Sequence, residues 1–216
     1  MKLRPLIILL LFLVSTAVLI WIYYAATHTR HAKSEETWHE TIADLDACCR
    51  RKHVKSVQYD HFARIADQEQ QAQAARLFRA LALSARLQEQ NGANAIIRLG
   101  GRYLPPQKAI VLRGTTDGNL ERSIAYELRT MQECKCGEID RAMTHENRYA
   151  ARLLIWASSV DMRHATLMHL CRQPQDGTSE WQYLVCPQCG NIFTSAYCEP
   201  YCPLCLTTSR RFVRFE

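Results

Sequence analysis

The sequence predicts a mainly α chain: an N-terminal transmembrane helix, a four-helix bundle with one long crossover, and a small four-cysteine metal ribbon. Three observations predict it. Residues 6–26 carry no charge. The middle of the chain is rich in Ala, Leu, Arg and Gln, with apolar residues at three- and four-residue spacings. Four cysteines near the end are spaced C-x2-C-x12-C-x2-C. The expected domains are 1–30 (anchor with short flanks), 38–172 (bundle) and 180–216 (ribbon). A hydrophobic share of 48% with 22% charged residues excludes the disordered and low-complexity classes. The net charge of +6 is spread along the chain rather than gathered in a Lys/Arg stripe, so nucleic acid is not an expected partner.

The first element is read from length. Twenty-one uncharged residues rising 1.5 Å each reach about 30 Å, enough to cross a bilayer. Trp21, Tyr23 and Tyr24 sit at one end, where amphipathic rings favour the headgroup level. A cleaved signal peptide is the competing reading, but its apolar region is shorter, roughly 7–15 residues. The expectation is a single-pass membrane protein with a cytoplasmic N-terminus and an extracytoplasmic globular part, in a disulfide-permissive space.

Four helices follow, expected at 45–67, 70–90, 120–145 and 147–170, in two pairs. The connection between the pairs, 91–118, is too long for a bundle turn and long enough to run the length of a helix. Such a crossover suggests a ferritin-like bundle. The two pairs repeat each other: Ala75-Arg76-Leu77 recurs as Ala151-Arg152-Leu153, and Asp44-Leu45 matches Asn119-Leu120. Counting from these anchors aligns Lys52 with Glu127, and Ala85 and Gln88 with Asp161 and His164. Carboxylates with an i, i+3 imidazole are the donors that di-iron bundles use. The second half keeps Glu127 and Asp161-x-x-His164; the first half offers no such ligand. Two carboxylates facing a core need a counter-charge. The expectation is that the Lys52 ammonium replaces the lost metal charge by pairing with Glu127 or Asp161. The competing reading is a residual site in which Glu127, Asp161 and His164 hold one divalent ion.

At the C-terminus, Cys186, Cys189, Cys202 and Cys205 form two C-x2-C turns, each setting two thiolates on one ion and together completing a tetrahedral shell. One Fe or Zn is expected there, and the sequence does not choose between them. Disulfide pairing is the competing reading outside the cytoplasm. Gly190 lets the backbone bend after the first turn; Leu206 in the matching place is less permissive. Among the remaining cysteines, a disulfide is expected between Cys48 or Cys49 and Cys134, on neighbouring antiparallel helices.

Over residues 42–216 the chain resembles the rubrerythrins, which join a ferritin-like di-iron bundle to a rubredoxin-like ribbon and are associated with peroxide reduction. The residues carrying the resemblance are Phe62-Ala63-Arg64-Ile65-Ala66, Ala75-Arg76-Leu77-Phe78-Arg79-Ala80, Gly114-Thr115-Thr116 with Asn119-Leu120 and Glu127, Asp161-x-x-His164, and the cysteine ribbon. The family's helix-one Glu falls at Lys52, its first Glu-x-x-His at Ala85 and Gln88, and a further carboxylate at Thr130. The resemblance therefore implies a metal-binding protein, a homo-oligomer and an electron-transfer partner, but no di-iron centre. A binding or structural role, or limited electron transfer, is expected. A rubrerythrin-type oxidoreductase reducing peroxide is the alternative, which needs a complete bundle site.

Overall fold

The computed structural model describes residues 3–135, 137–173 and 181–216, with the side chains of 3–10, 28–37 and 133–135 outside the described set. Five helices precede three short strands: α1 (Leu3–Gln68), α2 (Ala72–Arg98), α3 (Thr116–Lys135), α4 (Glu138–Thr144), α5 (Arg148–Arg172), β1 (Tyr183–Val185), β2 (Ile192–Thr194) and β3 (Val213–Phe215). The chain divides into two compact units, Met1–Glu40 and Thr41–Glu216, and bundle and ribbon both lie in the second.

The expected transmembrane helix and single-pass membrane localisation are not borne out. Among the described residues no helix is long and apolar enough to cross a membrane.

In the second unit, α2 carries Ala74, Ala75, Ala80, Ala82 and Ala85 fully inside. Small side chains let neighbouring helices approach closely, and Phe62, Phe78 and Tyr59 fill the space between them, with Phe62 and Phe78 edge to face at 5.4 Å. The second helix outruns its expected end, because Asn91-Gly92 does not turn. Gly92 is buried inside α2, where a Cβ would collide with Cys49 Sγ on α1. Close packing, not a turn, requires that glycine. The crossover thus shortens to 99–115. The expected third helix breaks in two, and α4 begins after Gly137. At the ends, Glu69 Oε2 accepts from the Thr116 amide at 2.8 Å at the start of α3, and Asn147 Oδ1 accepts from the Ala150 amide at 3.1 Å to cap α5.

The ribbon sheet has strand order β2-β1-β3, both pairs antiparallel, with Val185 opposite Ile192 and Val213. Among the described residues it is tied to the bundle at five places. Gln73 donates to the Tyr183 hydroxyl (2.8 Å), Arg76 to Trp181 O (3.0 Å), Ser84 to Gly190 O (2.5 Å), Asn91 to Gln188 O (2.7 Å) and Arg163 to Ile192 O (3.0 Å).

Candidate metal centre and buried ion cage

The ribbon knuckles are built alike. Gly190 N donates to Cys186 O and Leu206 N to Cys202 O, at 2.9 and 2.8 Å. Gly190 and Leu206 both take the left-handed backbone, φ +79° and +61°. These turns bring Cys186 Sγ within 3.4 Å of Cys205 Sγ, and Cys189 Sγ within 3.5 Å of Cys202 Sγ. All four sulfurs lie within 4.8 Å of one another, three of the residues buried and Cys205 half-buried. A tetrahedral ion with 2.3 Å metal–sulfur bonds sets sulfurs about 3.8 Å apart, so the donor set fits one metal ion. The crowded thiols share their protons unequally: hydrogen bonds from Cys186 and then Cys189 pull the Cys202 thiol down, while bonding to Cys186 and Cys202, with burial, pushes the Cys189 thiol up. Cys198 lies outside the cluster, exposed, with its Sγ on Glu199 O.

In the bundle, Glu127 on α3 and Asp161 and His164 on α5 are brought together, with one donor atom of each inside the same 4.8 Å. α1 meets them with three residues of one face, Lys52, Lys55 and Tyr59, at spacings of three and four. Lys52 Nζ donates to Asp161 Oδ1 at 2.5 Å and lies 3.4 Å from Ala157 O. Lys55 Nζ donates to Glu127 Oε2 and lies 3.0 Å from Asp161 Oδ2. The Tyr59 hydroxyl donates to Glu127 Oε1 at 2.6 Å. Every carboxylate oxygen is thus taken, and Lys52, Lys55, Glu127, Asp161 and His164 are all buried.

Burial pushes the Glu127 carboxyl up, yet the Lys55 ammonium, with Lys52 beyond it, overcomes it and holds Glu127 well below the usual range. Burial likewise pushes Lys55 down, but Asp161 and Glu127 outweigh it and raise the ammonium's pKa. Burial lowers His164 against the pull of Glu127, and raises Tyr59 together with the Glu127 charge.

His164 Nε2 lies 2.8 Å from Ser84 Oγ, which also accepts from the Gln88 amide at 3.2 Å. The one Ser84 hydroxyl proton goes to Gly190 O. His164 Nε2 must therefore carry its own proton and donate it, leaving a lone pair on Nδ1. That atom stands 3.5 Å from Glu127 Oε1 and 3.9 Å from Asp161 Oδ1, without a hydrogen-bond partner among the described residues.

These residues do not fit a two-metal centre. Among the described residues three donors serve it, and two ammoniums stand among them. A dication about 4 Å from one ammonium would be repelled by on the order of 8 kcal/mol at an effective dielectric of 20.

Lys55, Tyr59 and Ser84 were missed by sequence reasoning. The repeat held the signal for the first: the alignment that pairs Lys52 with Glu127 pairs Lys55 with Thr130, the position of the family's further carboxylate. Thr130 itself is buried and donates back to Tyr126 O at 2.8 Å. Ala85 is buried in the core, and Gln88 turns to Ser84. Burial raises the Cys48 and Cys49 thiols; the expected disulfide lies outside the described residues because the Cys134 side chain does.

No protein-family model matches the chain, and no curated protein matches it. Solved structures do. Fully reduced, all-ferrous nigerythrin superposes with a TM-score of 0.75 at 22% identity, covering 81% of this chain and 86% of that one. Its mixed-valence and partially reduced states give 0.68 at 21% identity over the same shares. The fold is that of nigerythrin, of the rubrerythrin family. At this identity the likeness speaks for the fold: a ferritin-like bundle followed by a rubredoxin-like ribbon. The nigerythrin-like chain keeps the four-cysteine cluster, while its bundle site is partial, with three candidate ligands.

Proposed function

We propose that this chain is a one-metal member of the rubrerythrin fold, in which the ribbon keeps its ion and the bundle has lost di-iron chemistry. Cys186, Cys189, Cys202 and Cys205 would hold one Fe or Zn. That ion supplies structural closure of the ribbon and, if iron, a single-electron couple. The role is then binding or structural, with limited electron transfer to a partner, and without peroxide turnover.

The observation that carries this reading is the pairing of Lys52 and Lys55 with Asp161 and Glu127 in the buried cage. Two ammoniums balance two carboxylates, so the cage is satisfied without a cation. The five bundle–ribbon ties support a scaffold role, since they hold the cysteine cluster rigidly against α2 and α5.

Elemental analysis of the full chain, with hydrogen peroxide consumption by the reduced protein, tests the proposal. About one metal per chain and peroxide consumption no faster than that of free ferrous ion are expected. About three metals per chain with catalytic peroxide loss would overturn it.

A further inference from the structure

Two of the ties between bundle and ribbon fall on one cysteine knuckle. Ser84 and Asn91 stand two turns apart on one face of α2. Ser84 Oγ donates to Gly190 O at 2.5 Å, and Asn91 Nδ2 donates to Gln188 O at 2.7 Å. Each of these carbonyls belongs to a peptide whose N–H serves a sulfur. The Cys189 amide donates to Cys186 Sγ, and the Asn191 amide to Cys189 Sγ. Two chains of hydrogen bonds thus run from α2, through a planar peptide, to a cysteine. The Asn91 chain lies nearer the surface. The Ser84 chain is dry and reaches further back, because Ser84 Oγ accepts from His164 Nε2 at 2.8 Å and from the Gln88 amide at 3.2 Å, and Ser84, His164, Gly190 and Cys189 are all buried. At low dielectric the bonds of such a chain strengthen one another.

The second knuckle has the same backbone without these donors. Cys186 N donates to Asn191 O and Cys202 N to Thr207 O, each at 2.8 Å. The Cys205 amide donates to Cys202 Sγ, as the Cys189 amide does to Cys186 Sγ. Leu204 O and Leu206 O hold the places of Gln188 O and Gly190 O, and among the described residues no side chain donates to either. Docking does not require the difference, since Tyr183, Val185 and Ile192 already bury the sheet in the bundle core.

We propose that Ser84 and Asn91 are positioning residues that raise the reduction potential of the ion held by the ribbon. Their donation to Gly190 O and Gln188 O polarises the two peptides and strengthens the N–H···S bonds to Cys189 and Cys186. Those bonds stabilise the negative charge that the sulfurs gain when a ferric ion takes up one electron. The inference rests on the reading that the four cysteines hold one ion.

The test is a mediated electrochemical titration of the full chain loaded with iron, after the iron per chain has been counted. Ser84→Ala and Asn91→Ala should each lower the potential by at least a threefold shift in the reduction equilibrium, about 28 mV at 59 mV per decade. Asn91 is only partly buried, so its variant keeps the measurement open if Ser84→Ala does not fold. Gln73→Leu removes the tie to the Tyr183 hydroxyl and touches neither peptide; it should leave the equilibrium within 1.5-fold. In the zinc-loaded chain the Asn191 amide proton should move upfield in Ser84→Ala, and the Cys189 amide proton in Asn91→Ala, as their bonds to sulfur weaken. Potentials and amide resonances unmoved by both alanine variants, or a potential lowered as far by Gln73→Leu, would overturn this inference and leave the one-metal reading standing. A chain that takes up no ion at its cysteines would overturn both.

Discussion

Lys55→Met removes the one cation that touches both buried carboxylates and leaves the volume almost unchanged. Glu127 keeps only the Tyr59 hydroxyl, and Asp161 keeps only Lys52. The cage passes from neutral to one uncompensated negative charge in a place without solvent. Removing one partner of a buried pair in this way costs about 3–5 kcal/mol, because the remaining charge stays desolvated. For a chain of this size each kcal/mol moves the melting temperature by about 2–4 °C, so a fall of about 6–20 °C is expected in differential scanning calorimetry. The double variant Lys55→Met/Glu127→Gln discriminates the cause: it restores neutrality, and the Gln carbonyl still accepts from Tyr59. It should recover most of the loss, since neutral replacements of buried pairs are commonly tolerated. A Lys55→Met cost under about 1 kcal/mol, or a double variant no more stable than the single one, would refute the buried-cage argument.

The pH profile of stability should show a plateau bounded on both sides. His164 sits below its ordinary 6.5, so its contribution is complete above about 6.5 and is lost as pH falls through the folded value. Glu127 adds a second loss below about 4.5. Lys55 is raised above 10.5, so its contribution is complete below that and is lost as pH rises through the folded value. Urea midpoints measured from pH 3 to 11 check both edges; a stability maximum below pH 5 would contradict them. Leu206→Gly relieves a left-handed backbone costing about 1–2 kcal/mol and spends back about 0.5–1 in chain entropy. With Leu206 76% exposed, little burial is lost, and the ribbon should release its metal to a chelator more slowly. Gly190→Ala works the other way. It adds left-handed strain and a Cβ 2.8 Å from Ser84 O, and about 2–5 kcal/mol should be lost in thermal melts of the metal-loaded chain.

The comparison of those two knuckles shows what the sequence could and could not carry. Both C-x2-C turns were legible from spacing, and the glycine after the first was read as a turn requirement. Leu206 adopts the same backbone, so the turn alone does not demand glycine. What excludes a side chain at Gly190 is the bundle wall at Ser84, a tertiary contact with no local signature. Gly92 teaches the converse: Asn91-Gly92 reads as a helix stop, yet contact with Cys49 makes it a helix interior. The bundle itself was legible because apolar periodicity and the internal repeat are local patterns. The ribbon's docking was not, because its five ties use side chains unremarkable in sequence. The apolar N-terminal run was over-read: its uncharged length and the rings of Trp21, Tyr23 and Tyr24 at one end suggested a membrane span, but among the described residues no helix is long and apolar enough to cross a membrane.

Charge arithmetic explains why Lys55 completes what Lys52 alone would not. Lys52 reaches Asp161 at 2.5 Å, but Glu127, fully buried on α3, would then keep its charge in a cage of net −1. His164 does not help, for Ser84 fixes its proton on the far nitrogen and burial keeps the ring neutral. Only a second cation on the same face of α1 closes the balance, and three residues along is where a helix supplies it. The repeat predicted the location of the lost metal charge at one residue; electroneutrality of a dry cavity requires two.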